Sequence, residues 1–252
     1  MDFARIPGSN GVWYIPNFVT SDEEEYLIRK INETAHQKWK ELSNRRLQIW
    51  GGEITQKGIL FAQPLPPFLK IYPNIMARLK ATGAFESSPH GGPNHIILNE
   101  YLPGQGIMPH EDGPIYHPVV ATISLGSHSV LHYYQYAEES GLTGNNTSLG
   151  KGRVTSSIPV MSLFLERRSL VITTDEMYAS HLHGIEDTDR DEFTPGSLVH
   201  LPDGSVRKLA NRDFLTDEDV LEVLRHGGLL RRTVRYSLTC RDVRCVAGKA
   251  YN

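Results

Sequence analysis

"RYSLTCRDV", residues 235–243, alternates without a break. In an extended chain Arg235, Ser237, Thr239 and Arg241 share one face, while Tyr236, Leu238 and Cys240 share the other. The second face is apolar and suited to a core. The first carries two guanidiniums, which are costly on the wall of a β-barrel unless anions receive their forks. A dicarboxylate would serve both. The same spacing links Arg225 and Arg231, but that pair straddles Gly227-Gly228 and has no fixed geometry.

Segments of similar texture precede it. "NHIILNEYL" (94–102), "VVATISLGS" (119–127), "VLHYYQY" (130–136), "MSLFLE" (161–166) and "SLVITT" (169–174) are rich in β-branched and aromatic residues and separated by turn chemistry. That pattern belongs to a β-sandwich or barrel. Within "HIILNEY", Ile97, Asn99 and Tyr101 share a face. "VWYIPNF" (12–18) reads as a short strand that Pro16 confines to an edge. Ser21-Asp22-Glu23-Glu24 fits a capping box, and Leu27, Ile28 and Ile31 then give a helical stripe. "QPLPPFLKIYPNIMARLKATG" (63–83) suggests a second helical region, stopped at Gly83. The class is therefore mainly β with an α extension (α+β). Residues 137–153, rich in Gly, Asn, Ser and Thr, are expected to form a loop. Residues 186–232 interrupt the strands with one helix, "TDEDVLEVLRHGG", capped by Thr216 and ended at Gly227-Gly228. No internal repeat is visible.

At 252 residues the chain suits one large domain. Its 39% apolar and 22% charged content, with a mean hydropathy of −0.34, is that of a water-soluble globular chain. No apolar run approaches the ~20 residues of a membrane helix, and the N-terminus lacks the profile of a secretory signal. Two cysteines, Cys240 and Cys245, are too few for a disulfide framework. A reducing compartment, cytoplasm or nucleus, is expected, where the sequons at Asn32, Asn145 and Asn146 carry no glycosylation meaning. The net charge of −3 hides an asymmetry. Residues 36–50 carry four basic side chains against one acidic, residues 225–244 six against one, and residues 186–192 one against five. The basic segments are either anion sites, phosphates included, or solvated surfaces.

"YLPGQGIMPHEDGP" (101–114) places His110 and Asp112 two residues apart between chain breakers. With 11 histidines in the chain, chance alone gives about half a His-x-Asp, so the spacing is weak by itself. Its geometry is better, since residues i and i+2 of an extended segment project to one side and can chelate one ion. A histidine from another strand would complete the two-His-one-carboxylate triad of non-haem Fe(II) oxygenases. "SLVITTDEMYASHLHGI" (169–185) offers His181 and His183, and spacing does not choose between them. His95, His117, His128, His132 and His200 read as scattered surface or core histidines.

The order of these elements carries more than any one of them. Asn-x-Tyr-x-Pro-Gly from Asn99, His-x-Asp from His110, His-Gly-Ile from His183 and Arg-x-Ser-Leu-Thr-x-Arg from Arg235 together resemble the AlkB family of Fe(II)/2-oxoglutarate dioxygenases. The likeness runs from about Trp13 to Arg244. "RRLQIWGG", "YLPGQGIMPHEDGPIYHP" and "ISLGSHSVL" are most similar to one eukaryotic branch of that family.

The resemblance implies a double-stranded β-helix (jelly-roll) core over residues 91–252, with the segment at about 186–232 inserted. Residues 1–90 would form an N-terminal extension carrying helices and a nucleotide-recognition lid, the whole remaining one structural domain. It implies that His110, Asp112 and His183 hold Fe(II), with His183 taken over His181. Arg235 would receive the distal carboxylate of 2-oxoglutarate, assisted by Asn99 and Tyr101, with Arg241 near its metal-binding end. O2 would be the third participant, and the reaction would be oxidative demethylation of an N-methyl group.

The likeness puts the lid at "HQKWKELSNRRLQIWGG" (36–52). Independently, Trp39 and Trp50 flanking Arg45 and Arg46 supply the stacking faces and phosphate contacts used on single strands; alternatively both tryptophans belong to the core and the arginines are solvated. Three departures stand out. Pro114 occupies a position where base-repairing members usually have an acidic residue. The 52-residue spacing from His183 to Arg235 is long, and the insertion is either a partner-recruiting element or a benign surface addition. Cys240 stands where the family often has an aromatic. N-methylated nucleic acid, RNA ahead of DNA, is the expected substrate. An oxygenase acting on a protein side chain and a methylated-RNA-binding module with little turnover remain the alternatives. No membrane partner is expected.

Overall fold

Eight strands wind back and forth between two facing antiparallel sheets. His95–Tyr101, Tyr116–Leu125, Leu170–Thr174 and Arg235–Val243 lie in one sheet; Ile107–His110, Ser129–Tyr134, Met161–Leu165 and Leu182–Ile185 lie in the other. The first sheet runs in the order 170–174, 116–125, 235–243, 95–101, and the second 161–165, 129–134, 182–185, 107–110. This alternation is the double-stranded β-helix. The structure is a computed structural model that describes residues 4–137 and 154–248. The loop expected over 137–153, with Asn145 and Asn146, lies outside the described residues save for Ala137.

The first sheet is extended at both ends by residues before 91. Val12–Ile15 pairs with Leu170–Thr174 and is itself flanked by Ala4–Arg5. It is therefore not the edge strand expected, and Pro16 stands one residue beyond it. At the opposite end Arg45–Trp50 pairs with His95–Tyr101, and Lys40–Leu42 forms the outer edge. Much of the expected lid is thus a hairpin continuous with the main sheet.

Every residue of Arg235–Val243 is buried, because the strand sits centrally and both its faces are covered. Its Tyr236, Leu238 and Cys240 face joins Leu98 and Ile123 under a helical layer contributing Leu27, Ile31, Leu69, Ile75 and Leu79. The helix Ser21–Asn32 is capped one residue earlier than its sequence suggests. Thr20 accepts from the Glu23 backbone while Glu23 accepts from the Thr20 backbone, and Glu24, itself buried, is released to an ion pair with the half-exposed Arg167. The second helical region is split into Pro67–Lys70 and Ile75–Ala81. Pro73 offers no N–H, and Asn74 takes a left-handed φ of 54°.

The insertion is more ordered than an interruption with one helix. Arg190–Thr194, Leu198–His200, Val206–Lys208 and Gly228–Arg231 form a sheet of their own beside the helix Glu218–His226. Phe193, Val199, Leu209 and Leu224 bury against Phe164 and Val130 of the second main sheet. Asp217, not Thr216, caps the helix, accepting from the Asp219 and Val220 backbones. Among the described residues no helix is long and apolar enough to cross a membrane.

Candidate metal and cosubstrate site

His110 ends one strand of the smaller main sheet, and His183 lies directly across the ladder from it. Their rings are 4.4 Å apart between centroids. The register slips between His183 and Ile185, which Gly184 permits: a Cβ there would come within 2.9 Å of the Pro109 backbone nitrogen. Asp112 follows just beyond the end of the His110 strand. One donor atom from each of His110, Asp112 and His183 can be chosen so that all lie within 4.8 Å of one another.

The chemistry of these donors suits a divalent cation. The Met108 carbonyl accepts from His110 Nδ1 at 2.9 Å, which leaves Nε2 as the free donor. Burial holds both imidazoles below their ordinary pKa, His183 at about 4, so each is neutral near pH 7 with a lone pair to give. Burial alone would raise the Asp112 pKa, but Arg241 and then the two histidines outweigh it and keep the group ionised. Arg241 donates to Asp112 Oδ1, and Oδ2 is buried without a hydrogen-bond partner. An orphaned buried carboxylate oxygen is expensive unless something cationic meets it. Two neutral nitrogens and one carboxylate oxygen are the donor set of the facial triad.

A cavity of about 260 Å³ opens beside them between the two sheets. On its larger-sheet wall, Arg235 pairs across the ladder with Tyr101 and Ser237 with Asn99, while Ser237 faces Ser124 and Thr239 faces Thr122 on the other side. The alternation of residues 235–241 thus delivers both arginines to the cavity. Arg235 is 4% exposed, donates to Ser124 Oγ at 2.9 Å, and has no partner for Nε. Its guanidinium carbon lies 5.6 Å from the Tyr101 ring centroid. Burial lowers its pKa to about 10, so it stays cationic at pH 7, and no carboxylate among the described residues pairs with it. Arg241 Nε is also unpartnered. The cavity can therefore receive a dianion along a wall that ends at the metal donors.

Asn99, Tyr101, Arg235 and Arg241 line this one cavity with His110, Asp112 and His183. His181 does not: its Nε2 faces Gln135 at 3.1 Å and its Nδ1 faces the Glu176 carbonyl at 3.2 Å. The four expected substrate contacts separate. Arg45 lines the cavity and donates through Nε to Asn99 Oδ1 at 3.0 Å. Arg46 points to the other side of the sheet, gripping Glu100 at 2.7 and 2.8 Å with its guanidinium 4.3 Å from the Trp39 ring centroid. Both are thereby engaged within the fold. Trp50 is only 6% exposed and packs edge-on against Phe68, a core residue rather than a stacking face. The expectation that Trp50 and Arg46 present themselves to a nucleotide is corrected accordingly, because their strand positions turn them toward the helical layer.

Sequence reasoning missed Tyr133 and Thr173, which bond to each other at 2.7 Å on the cavity wall, and Ser124, which holds Arg235. Strand alternation in "VVATISLGS", "VLHYYQY" and "SLVITT" makes them legible in principle, though nothing in the chain orders which face is inner.

No family model matches the chain. It is 42% identical over 180 residues to "Probable RNA/DNA demethylase ALKBH6" of Danio rerio, covering 71% of each protein. It is 25% identical over 183 residues to the Mus musculus "tRNA (carboxymethyluridine(34)-5-O)-methyltransferase ALKBH8", covering 69% of this chain and 24% of that one. The solved structure of OsALKBH1 overlies 93% of this chain and 99% of its own, with 15% identity and a TM-score of 0.49.

Proposed function

Because this chain belongs to the AlkB family of Fe(II)- and 2-oxoglutarate-dependent dioxygenases, we propose that it oxidatively demethylates N-methylated nucleic acid, RNA in preference to DNA. The observation that carries the reading is the joining, in one cavity, of a neutral two-histidine, one-carboxylate donor set with two incompletely paired guanidiniums. Fe(II) and 2-oxoglutarate, when bound with O2, would supply the oxidation of an N-methyl carbon to a hydroxymethyl that leaves as formaldehyde, the cosubstrate ending as succinate and CO2.

In this reading His110 Nε2, His183 and Asp112 Oδ2 would hold the iron. The Met108 carbonyl fixes the His110 tautomer, and Arg241 steadies Asp112 through its other oxygen. Arg235 takes the distal carboxylate of 2-oxoglutarate in a forked, charge-assisted contact. Ser124 orients that guanidinium from behind. Tyr101 walls the same end, and Asn99, already held by Arg45, aligns the cosubstrate along its length. Apolar Leu131, Leu165, Val171 and Ile185 line the cavity and exclude water from the reacting centre.

The name of the Danio rerio relative covers RNA and DNA, and that of the mouse relative concerns tRNA. The preference for RNA adds to this the presence of Pro114 where an acidic side chain would suit base repair. Formaldehyde release from matched pools of N-methylated RNA, DNA and peptide tests the assignment. Release from RNA above DNA is expected; release from peptides alone would replace nucleic acid with protein as the substrate.

A further inference from the structure

The acidic stretch at 186–192 belongs to the insertion, which the chemistry above leaves without a role. Asp191 is 5% exposed and takes both prongs of Arg232, Nε to Oδ2 at 2.8 Å and Nη2 to Oδ1 at 2.7 Å. Arg232 Nη1 donates to the Glu186 carbonyl at 2.9 Å, and the Arg232 backbone N–H to the Asp189 carbonyl at 2.8 Å. His128 Nε2 stands 3.2 Å from Asp191 Oδ2. Burial would raise the Asp191 pKa; the Arg232 fork outweighs it and holds the group at about 2.

This pair backs onto the cosubstrate end of the cavity. Arg232 and Arg235 border one small void of about 10 Å³, with His128, Ser129 and Tyr101 around it. Arg232 is 7% exposed and Arg235 4%, so two buried arginines border the same void. Of these two, only Arg232 is paired with a carboxylate among the described residues. The same turn closes over that end: the Gly104 N–H donates to the Thr188 carbonyl at 3.2 Å, and Asn44 Nδ2 to Asp187 Oδ2 at 2.8 Å. Gly106 lies so near that a Cβ would stand 2.3 Å from the Ile185 carbonyl oxygen and 2.5 Å from Asp187 Oδ1.

We infer that the insertion is part of the cosubstrate site, with Asp191 a positioning residue that neutralises Arg232 and so leaves Arg235 as the one guanidinium offered to the cosubstrate's distal carboxylate. Like charges that border one buried void repel, and Arg232 works against the charge on Arg235. A bare Arg232 would therefore displace Arg235 or draw the carboxylate out of line with the metal donors. The inference rests on Arg235 being the anchor of 2-oxoglutarate.

The experiment titrates 2-oxoglutarate calorimetrically into the full chain, metal-free and Mn(II)-loaded, in five forms. These are wild type, Asp191→Asn, Arg232→Lys, the double variant Asp191→Asn/Arg232→Met, and Arg235→Ala. Asp191→Asn should bind at least about tenfold more weakly, in line with loss of an outer partner of a site. The double variant should recover most of that loss, because no bare charge remains. Arg232→Lys keeps the charge and loses the fork, and should weaken binding to an intermediate degree; it serves if Asp191→Asn does not fold. Turnover by Asp191→Asn should show a KM for 2-oxoglutarate raised by a factor similar to its loss of affinity. Wild-type affinity in Asp191→Asn or Arg232→Lys would overturn the inference. So would a double variant no better than Asp191→Asn, which would mark a merely structural role. Wild-type binding by Arg235→Ala would instead overturn the anchor assignment on which it stands.

Discussion

Arg241 holds Asp112 by one carboxylate oxygen, Oδ1, and leaves the other, Oδ2, buried and unpaired beside His110 and His183. A metal ligand oriented by a charged neighbour loses affinity when that neighbour goes. Arg241→Met should therefore weaken Co(II) binding by roughly 10–100-fold, followed by the visible absorption of the ion. Unchanged affinity would show that Asp112 needs no orienting partner.

The two neighbouring arginines of the hairpin should behave differently. Arg46→Ala strands Glu100, which is 4% exposed, and should cost about 3 kcal/mol in urea denaturation. Arg45→Ala should leave stability nearly intact, weaken oligonucleotide binding, and reduce the salt slope of that binding by about one phosphate contact. Equal salt slopes in Arg45→Ala and wild type would remove Arg45 from the binding surface.

Trp50→Ala tests the correction made above. A buried indole packed on Phe68 predicts a loss of about 3–5 kcal/mol in stability. A stacking residue would instead cost oligonucleotide affinity with the melting temperature unmoved.

The two thiols should differ in reactivity. Burial pushes the Cys240 thiol up to about 12, whereas Cys245 is exposed. At pH 8, Ellman's reagent should titrate Cys245 alone in the native protein, with Cys240 reacting only after denaturant is added.

His132 and His95, away from the proposed ligands, are both held at about 4, mainly by burial. Their folded pKa lies below the unfolded value near 6.5, so the unfolded chain binds more protons between these limits. Stability should then fall as pH is lowered from about 6.5 to about 4. His132→Asn, which keeps an acceptor or donor near Ser162 Oγ without the titration, should flatten that decline in denaturation measured across the range.

Much of this was legible in the chain, for a definable reason. The faces of residues 235–241 and 97–101 follow from a period of two, and the ladder between them then fixes which side chains meet. Alternation also marks Trp50, but it cannot say which face of an added edge strand is covered by helices; that depends on packing from residues 67–81. Spacing alone did not choose between His181 and His183; the resemblance took His183, and the register that sets it opposite His110 is contained in no local pattern. The insertion's strands were hidden because "RDEFT" and "VRK" alternate over too few residues and expose charged faces. Its Asp191–Arg232 pair joins residues 41 apart and has no sequence signature at all.

The most direct test of the account is succinate production by anaerobically Fe(II)-loaded protein given 2-oxoglutarate and O2, with and without N-methylated RNA, in wild type, His181→Ala and His183→Ala. The account requires turnover in wild type that rises with the methylated RNA, survives in His181→Ala and vanishes in His183→Ala. Undiminished turnover in His183→Ala, or none in a wild-type protein shown to bind iron and 2-oxoglutarate, would contradict it.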